Sequence, residues 1–214
     1  MTRVYCAGPL FNEPERVEMA AIARVLEMAG HETFLPQRDG FELSAIRQQF
    51  AQIGLSAEQS GQMLHRCIFD LDIYHLLQWS DVCVANLNGR VPDEGTVVEA
   101  ALTWATGRPL VLYKADDRAP FEGEDNPMVT CLTDLRVMAE IEQLPQAVDE
   151  ALSNSADLST DLPDTLHRGQ QVKDAIESAR PTDRSDTSDG AGDTSADVPD
   201  VTRLAAALAA IYAR

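Results

Sequence analysis

The feature that most constrains the fold is an alternation of two periodicities. Short apolar runs recur at Val4 to Ala7, in "ETFLP", in "SDVCVANLNG" and in "RPLVLYKAD", and each stops at Gly, Pro or Asp. Runs this short and this uniformly apolar read as strands buried on both faces. Between them lie stretches with helical spacing. In "NEPERVEMAAIARVLEMAGHE" the apolar positions Val17, Ala21, Ile22, Val25, Leu26 and Ala29 share one helix face, with acids in the first turn and Gly30 as the stop. Phe41 to Trp79 reads as two helical pieces broken near Gly54-Leu55-Ser56, and Val91 to Gly107 as a loop running into another helix. "LRVMAEIE", followed by a short helix from Pro145 to Leu152, supplies a last strand. Parallel neighbours need crossover connections, so strands alternating with helices call for a parallel sheet covered on both sides.

The expected arrangement is a flavodoxin-like doubly wound five-stranded parallel sheet with helices on both faces, occupying residues 1–152 of the 214. That length can bury a sizeable core. Residues 153–200 are rich in Asp, Ser, Thr, Gly and Pro and poor in large apolar groups. Such a stretch cannot offset its chain entropy, and it is expected to stay an acidic disordered linker. Residues 201–214, "VTRLAAALAAIYAR", close the chain as a short amphipathic helix.

Charge narrows the partners. With a formal net charge of -18, the chain would be repelled by nucleic-acid phosphate, which excludes direct DNA or RNA binding. Lys114 and Lys173 are the only lysines. A carboxylate-rich, lysine-poor surface fits a salty cytoplasm, where screening relieves self-repulsion, so a halophilic setting is expected. No run reaches the ~18 apolar residues of a membrane span, and the first strand starts at once, leaving no room for a secretory leader. Cys6, Cys67, Cys83 and Cys131 show no paired spacing, and three of them lie among apolar neighbours, as reduced cytoplasmic cysteines do. The four histidines lack ligand spacing, so no metal is expected, and no organic cofactor is expected because the motifs carry no signature of one.

The chemistry concentrates in "VPDEGTVVEAALTWATG", where Asp93, Glu94 and Glu99 crowd the start of a helix. Two readings compete for Glu99. Thr96-x-x-Glu99 fits a capping box, in which the glutamate only closes its own helix. Alternatively, the loop follows the carboxyl end of a central strand, where open parallel sheets bind their ligands. Tyr5 to Pro9 ends the first strand at the same edge, and a helix dipole there would favour an ionised Glu99. A carboxylate facing a crevice, with a second acid nearby, is the retaining glycosidase arrangement.

Together "VYCAGPLF", "SDVCVANLNGRVPDEGTVVEAALTWATGRPLVLYKADDR" and "NPM" resemble the nucleoside 2-deoxyribosyltransferase family, from the first strand to about Met128 and more weakly to residue 150. The resemblance implies transfer of 2-deoxyribose between nucleobases, with Glu99 as the nucleophile, Asp93 as the acid at the base and Tyr5 orienting the nucleophile. It further implies base contacts from Asp72, with Asp70 as the competing register, and from Gln37, although the spacing around "LPQRDG" departs from the family pattern. Gly8 and Pro9 would shape the turn beneath the sugar. Asn126 and Met128 would complete a neighbouring subunit's site, making the protein a homo-oligomer acting on deoxynucleosides and nucleobases. Each residue has a plainer alternative: amphipathic packing for Tyr5, solvated helix carboxylates for Asp70 and Asp72, a turn opener for Asn126-Pro127.

Two other functions remain open at this stage. Hydrolysis of deoxynucleoside 5'-monophosphates occurs on similar sequences, but "AGPLFNEPE" has acids and no Ser in the first turn, and Asp93 would repel phosphate. A non-catalytic nucleotide-binding module on the same fold is the other, because fold alone never guarantees chemistry.

Overall fold

A computed structural model describes residues 1–40, 43–119, 124–154, 162–180 and 200–212. Two compact units divide the chain, Met1–Thr160 and Asp161–Arg214.

The first unit is built on five parallel strands: β1 (Arg3–Ala7), β2 (Glu32–Phe34), β3 (Val82–Asn86), β4 (Leu110–Tyr113) and β5 (Val137–Met138). Their order is β2-β1-β3-β4-β5, as the alternation of periods predicts. Tyr5 sits opposite Phe34 on one side and Cys83 on the other, which fixes the register of the three strands that matter most. β3 is buried at every position, as expected of a strand with neighbours on both edges and helices on both faces.

Period-2 alternation sends side chains to two separate cores. On one face Val4, Cys6, Val82, Val84, Val111 and Tyr113 pack under α1 (Glu13–Met28) and α7 (Leu144–Asn154), which contribute Met19, Ile22, Leu26, Leu144 and Val148. Full burial of each such Leu or Ile is worth about 1.5–3 kcal/mol. On the other face lie Tyr5, Ala7, Phe34, Cys83, Ala85 and Leu112. They are covered by α5 (Glu94–Ala105) and by the far end of α4 (Ala57–Tyr74), which passes into a single π-helical turn, His75–Trp79. The Ser80 amide closes that turn on the His75 carbonyl at 2.8 Å, five residues back. The short helices α2 (Pro36–Asp39), α3 (Leu43–Gln52) and α6 (Pro127–Thr130) complete this unit. The break between α3 and α4 falls at Gly54 to Ser56, where Ser56 and Gln59 form a capping box. Phe41 lies outside the described residues.

The sheet's carboxyl edge is tied together by amides. Asn86, fully buried at the end of β3, accepts the Asn88 amide at 2.9 Å and donates to Glu18 at 3.0 Å. The Asn88 side chain accepts the amides of Ala115 and Asp116 at 2.7 and 2.9 Å, which holds the loops after β3 and β4 against each other. At Gly8 a Cβ would collide with the Met19 sulfur and meet the Asn86 Cβ at 3.1 Å. Close packing of the first turn against α1 and β3 is therefore what requires glycine there.

The second unit departs from the expectation of a disordered linker over 153–200. Helix α8 (Leu162–Ala179) occupies part of it and packs against α9 (Val201–Tyr212). The reason is a helical stripe hidden in a polar stretch: Val172, Ala175, Ile176 and Ala179 recur at three- and four-residue steps and are its less exposed positions. The linker's residues 155–161 and 181–199 lie outside the described residues. No helix among the described residues is long and apolar enough to cross a membrane.

Candidate active site

The ambiguity at Glu99 is resolved by where α5 begins. Its N-cap is Asp93, whose Oδ2 accepts the Thr96 amide at 2.8 Å and the Thr96 hydroxyl at 2.9 Å. Thr96 is thus the donor at the third helical position and not the cap, so the Thr96–Glu99 capping box does not form. Glu99 falls a turn and a half further along, on the face of α5 that meets the sheet. There its Oε1 accepts the Tyr5 hydroxyl at 2.6 Å, across 94 positions of sequence.

Tyr5 is 0% exposed, the deepest polar group of the site. Its ring stacks on Phe34 of β2 with centroids 5.6 Å apart, and Phe34 stacks on His75 at 3.7 Å and 11°. The phenol therefore has one rotamer and one aim. Burial, and then the Glu99 carboxylate, push its pKa far above the ordinary range, so it remains a donor at any working pH.

Glu99 is half-buried. Desolvation pushes its pKa up to about 7; the Tyr5 bond acts downward, while Asp72 and Asp93 push further upward. The helix dipole, expected to favour the ionised form, has faded six residues into α5, and desolvation with neighbouring carboxylates outweighs it.

Asp72 and Asp70 part company. Asp70 is exposed, whereas Asp72 is half-buried on α4, raised to about 6 by burial, and close enough to both Glu99 and Tyr5 to influence each. Three carboxyl groups, Glu99, Asp72 and Asp93, thus gather over the β1–β3 boundary, where the strand order reverses.

The remaining sequence candidates stand further out. Gln37 begins the second position of α2 and donates to the Arg16 carbonyl at 2.7 Å, while its Oε1 is buried without a hydrogen bond. Pro9 is buried beside Gly8. Asn126 caps α6 by accepting the Met128 amide at 2.9 Å, and Met128 is 80% exposed. Neither makes a hydrogen bond to Glu99, Asp72 or Asp93 among the described residues. Phe34 and His75 were not singled out from sequence; the one available signal was the placement of His75 three residues after Asp72, on the same helical face.

A family model described as nucleoside 2-deoxyribosyltransferase matches residues 4–146. A crystal structure of a conserved protein from Enterococcus faecalis V583 is 22% identical, covering 70% of this chain and 98% of that chain with a TM-score of 0.53, and shows the shared fold. A 2-deoxyribosyltransferase from the psychrotolerant bacterium Bacillus psychrosaccharolyticus is 20% identical, covering 67% of this chain and 90% of that one, with a TM-score of 0.48. No curated protein matches the chain.

Proposed function

The chain belongs to the nucleoside 2-deoxyribosyltransferase family, and from that premise we propose that it transfers 2-deoxyribose between nucleobases through a deoxyribosyl ester on Glu99. The observation that carries this reading is the Tyr5 hydroxyl donating at 2.6 Å to a glutamate that its own helix does not use.

Glu99 attacks C1' of the bound deoxynucleoside. The C1'–N bond breaks, its electron pair goes to the base, and an acid delivers a proton to the leaving base. An acceptor base then attacks C1', Glu99 leaves as carboxylate, and the proton returns to the acid. Two acids flank the nucleophile. Asp93 spends Oδ2 on capping α5, with Oδ1 making no hydrogen bond among the described residues. Burial raises Asp72 to about 6, so it can exchange a proton near neutral pH. With Glu99 near 7 and Asp72 near 6, the two share protons as a coupled pair. The productive form, with one proton on Asp72 and a charge on Glu99, is the minor tautomer of the singly protonated pair, and the phenol's hydrogen bond to Glu99 favours it.

A free deoxynucleoside fits better than its 5'-monophosphate. The natural phosphate seat beside the first turn is the start of α1. That seat is filled by the chain itself: the Glu15 carboxylate accepts the Phe11 and Asn12 amides at 2.8 and 3.2 Å. Exposed Asn126 and Met128 are available to a neighbouring copy's site, so the active form is a homo-oligomer. Mixing protein inactivated by Glu99→Ala with protein inactivated by Asn126→Ala should then restore activity.

Mass spectrometry of the protein incubated with a deoxynucleoside, with and without an acceptor base, tests the mechanism. A deoxyribosyl adduct on the Glu99 peptide is expected, chased by acceptor. Turnover without any adduct, or full activity in Glu99→Gln, would sink it.

A further inference from the structure

We propose that His75 is a positioning residue that joins the two halves of this site, backing the aromatic stack behind Tyr5 while fixing the charge of Asp72. The inference rests on the functional reading above and assigns a role to a residue outside its carboxyl groups.

Geometry carries it. His75 opens the π-helical turn that ends α4, and π turns inside helices concentrate at functional sites. Its ring lies flat on Phe34 at 3.7 Å, and Phe34 in turn lies on Tyr5, so His75, Phe34 and Tyr5 form one column ending in the phenol that donates to Glu99. Tyr74 meets the imidazole edge-on at 5.3 Å and Trp79 tilts against it at 5.6 Å, so the ring is enclosed by aromatics. The Nδ1 donates to the Leu71 carbonyl at 2.9 Å, since a carbonyl can only accept, and this bond fixes the ring's orientation.

The same imidazole is the opposing electrostatic influence on Asp72: burial raises that carboxyl and His75 lowers it. Asp39 of α2 also feels the imidazole, but Arg38 is bound to it at 2.9 Å. On the other side Arg3 of β1 sits over the Trp79 ring at 5.7 Å. Tyr5 and Glu99 complete the titratable surroundings, reached through the Phe34 stack. Unlike Asp39, Asp72 has no cation of its own among the described residues, which leaves it to respond to His75.

Two variants separate the stacked ring from its nitrogens. His75→Phe keeps the stack and removes the polar imidazole nitrogens; His75→Ala removes both. Carbon-detected NMR of the Asp72 carboxyl should show its titration midpoint rising by half a unit or more in His75→Phe, a readout that needs no turnover. In His75→Ala, kcat for deoxyribose transfer should fall about tenfold with KM moving less than threefold, and His75→Phe should recover most of that kcat at its own optimal pH. An unmoved Asp72 midpoint in His75→Phe overturns the inference, and so does a His75→Ala kcat within twofold of the unmodified protein. If the unmodified protein itself neither transfers nor hydrolyses, the functional reading falls, and the Asp72 titration still decides whether His75 governs that carboxyl.

Discussion

Helices α1 and α5 both start just after the carboxyl end of a central strand, and both carry acids in their first turns. Their carboxylates nevertheless have different fates. In α1 the glutamate at the third position folds back: Glu15 accepts the Phe11 and Asn12 amides while Asn12 caps Glu15. In α5 the cap is an aspartate, Asp93, and the glutamate lies a further turn along. Glu99 therefore has no orphan amide within reach, and its partner comes from another element, the Tyr5 phenol. A carboxylate that closes its own helix is consumed by that task. One shifted by a turn onto the buried face is desolvated and takes its partner from another element.

Substitutions can break or sharpen this contrast. The largest effect is expected at Glu99: Glu99→Ala should abolish transfer by several orders of magnitude, measured as base exchange. Next comes Asp72→Asn, expected to lower kcat by about 10²–10⁴ and to remove the ionisation near 6 from the pH–rate profile. Tyr5→Phe keeps the ring on Phe34 and deletes the donor. The bond lowers the Glu99 pKa, so its loss should move the Glu99 ionisation above about 7 and cut kcat by roughly tenfold.

Stability against pH tests the same desolvation without catalysis. The folded-state values of Glu99 and Asp72 are raised, from 4.5 to about 7 and from 3.8 to about 6. Folded protein thus holds protons that the unfolded chain has released, and the contribution is full below the unfolded values and lost as pH climbs through the folded ones. Denaturation of Glu99→Gln should show its stability relative to the unmodified protein growing between pH 4.5 and 7 and then levelling. A flat difference across that window would mean Glu99 is not desolvated. The smallest effect separates the two caps: Asn12→Ala and Asp93→Ala should each cost about 1 kcal/mol of stability, but only Asp93→Ala should impair transfer.

Much of the fold was legible because burial writes itself into local pattern. Val82 to Asn86 lacks alternation because helices cover both its faces. The helical period of α1 was legible but its face was misplaced: Met19, Ile22, Ala23 and Leu26 meet the sheet, whereas Val17, Ala21 and Ala29 of the expected stripe are exposed. The break at Gly54 to Ser56 followed from the same signals. Helix α8 escaped because four small or branched apolar residues were diluted by charged neighbours, and composition averages such a stripe away.

The candidate site was only half readable. Sequence placed Asp93, Glu99 and Tyr5 at one edge of the sheet, but it could not say which acid capped α5, since Thr96 serves equally as cap or as donor in a local pattern. Nor could it choose between Asp70 and Asp72, two positions apart, because their difference is the direction each points from α4.

What the sequence by itself determined is the periodic code: which segments are strands, which are helices, and therefore that the carboxylate loop opens at a strand's carboxyl end. Tertiary structure alone decided the chemistry of those carboxylates. A hydrogen bond spanning 94 residues, an aromatic column drawn from β1, β2 and α4's end, and the loss of water around Glu99 are properties of packing. A pKa depends on what surrounds a group in space, and neighbours in space are not neighbours in the chain.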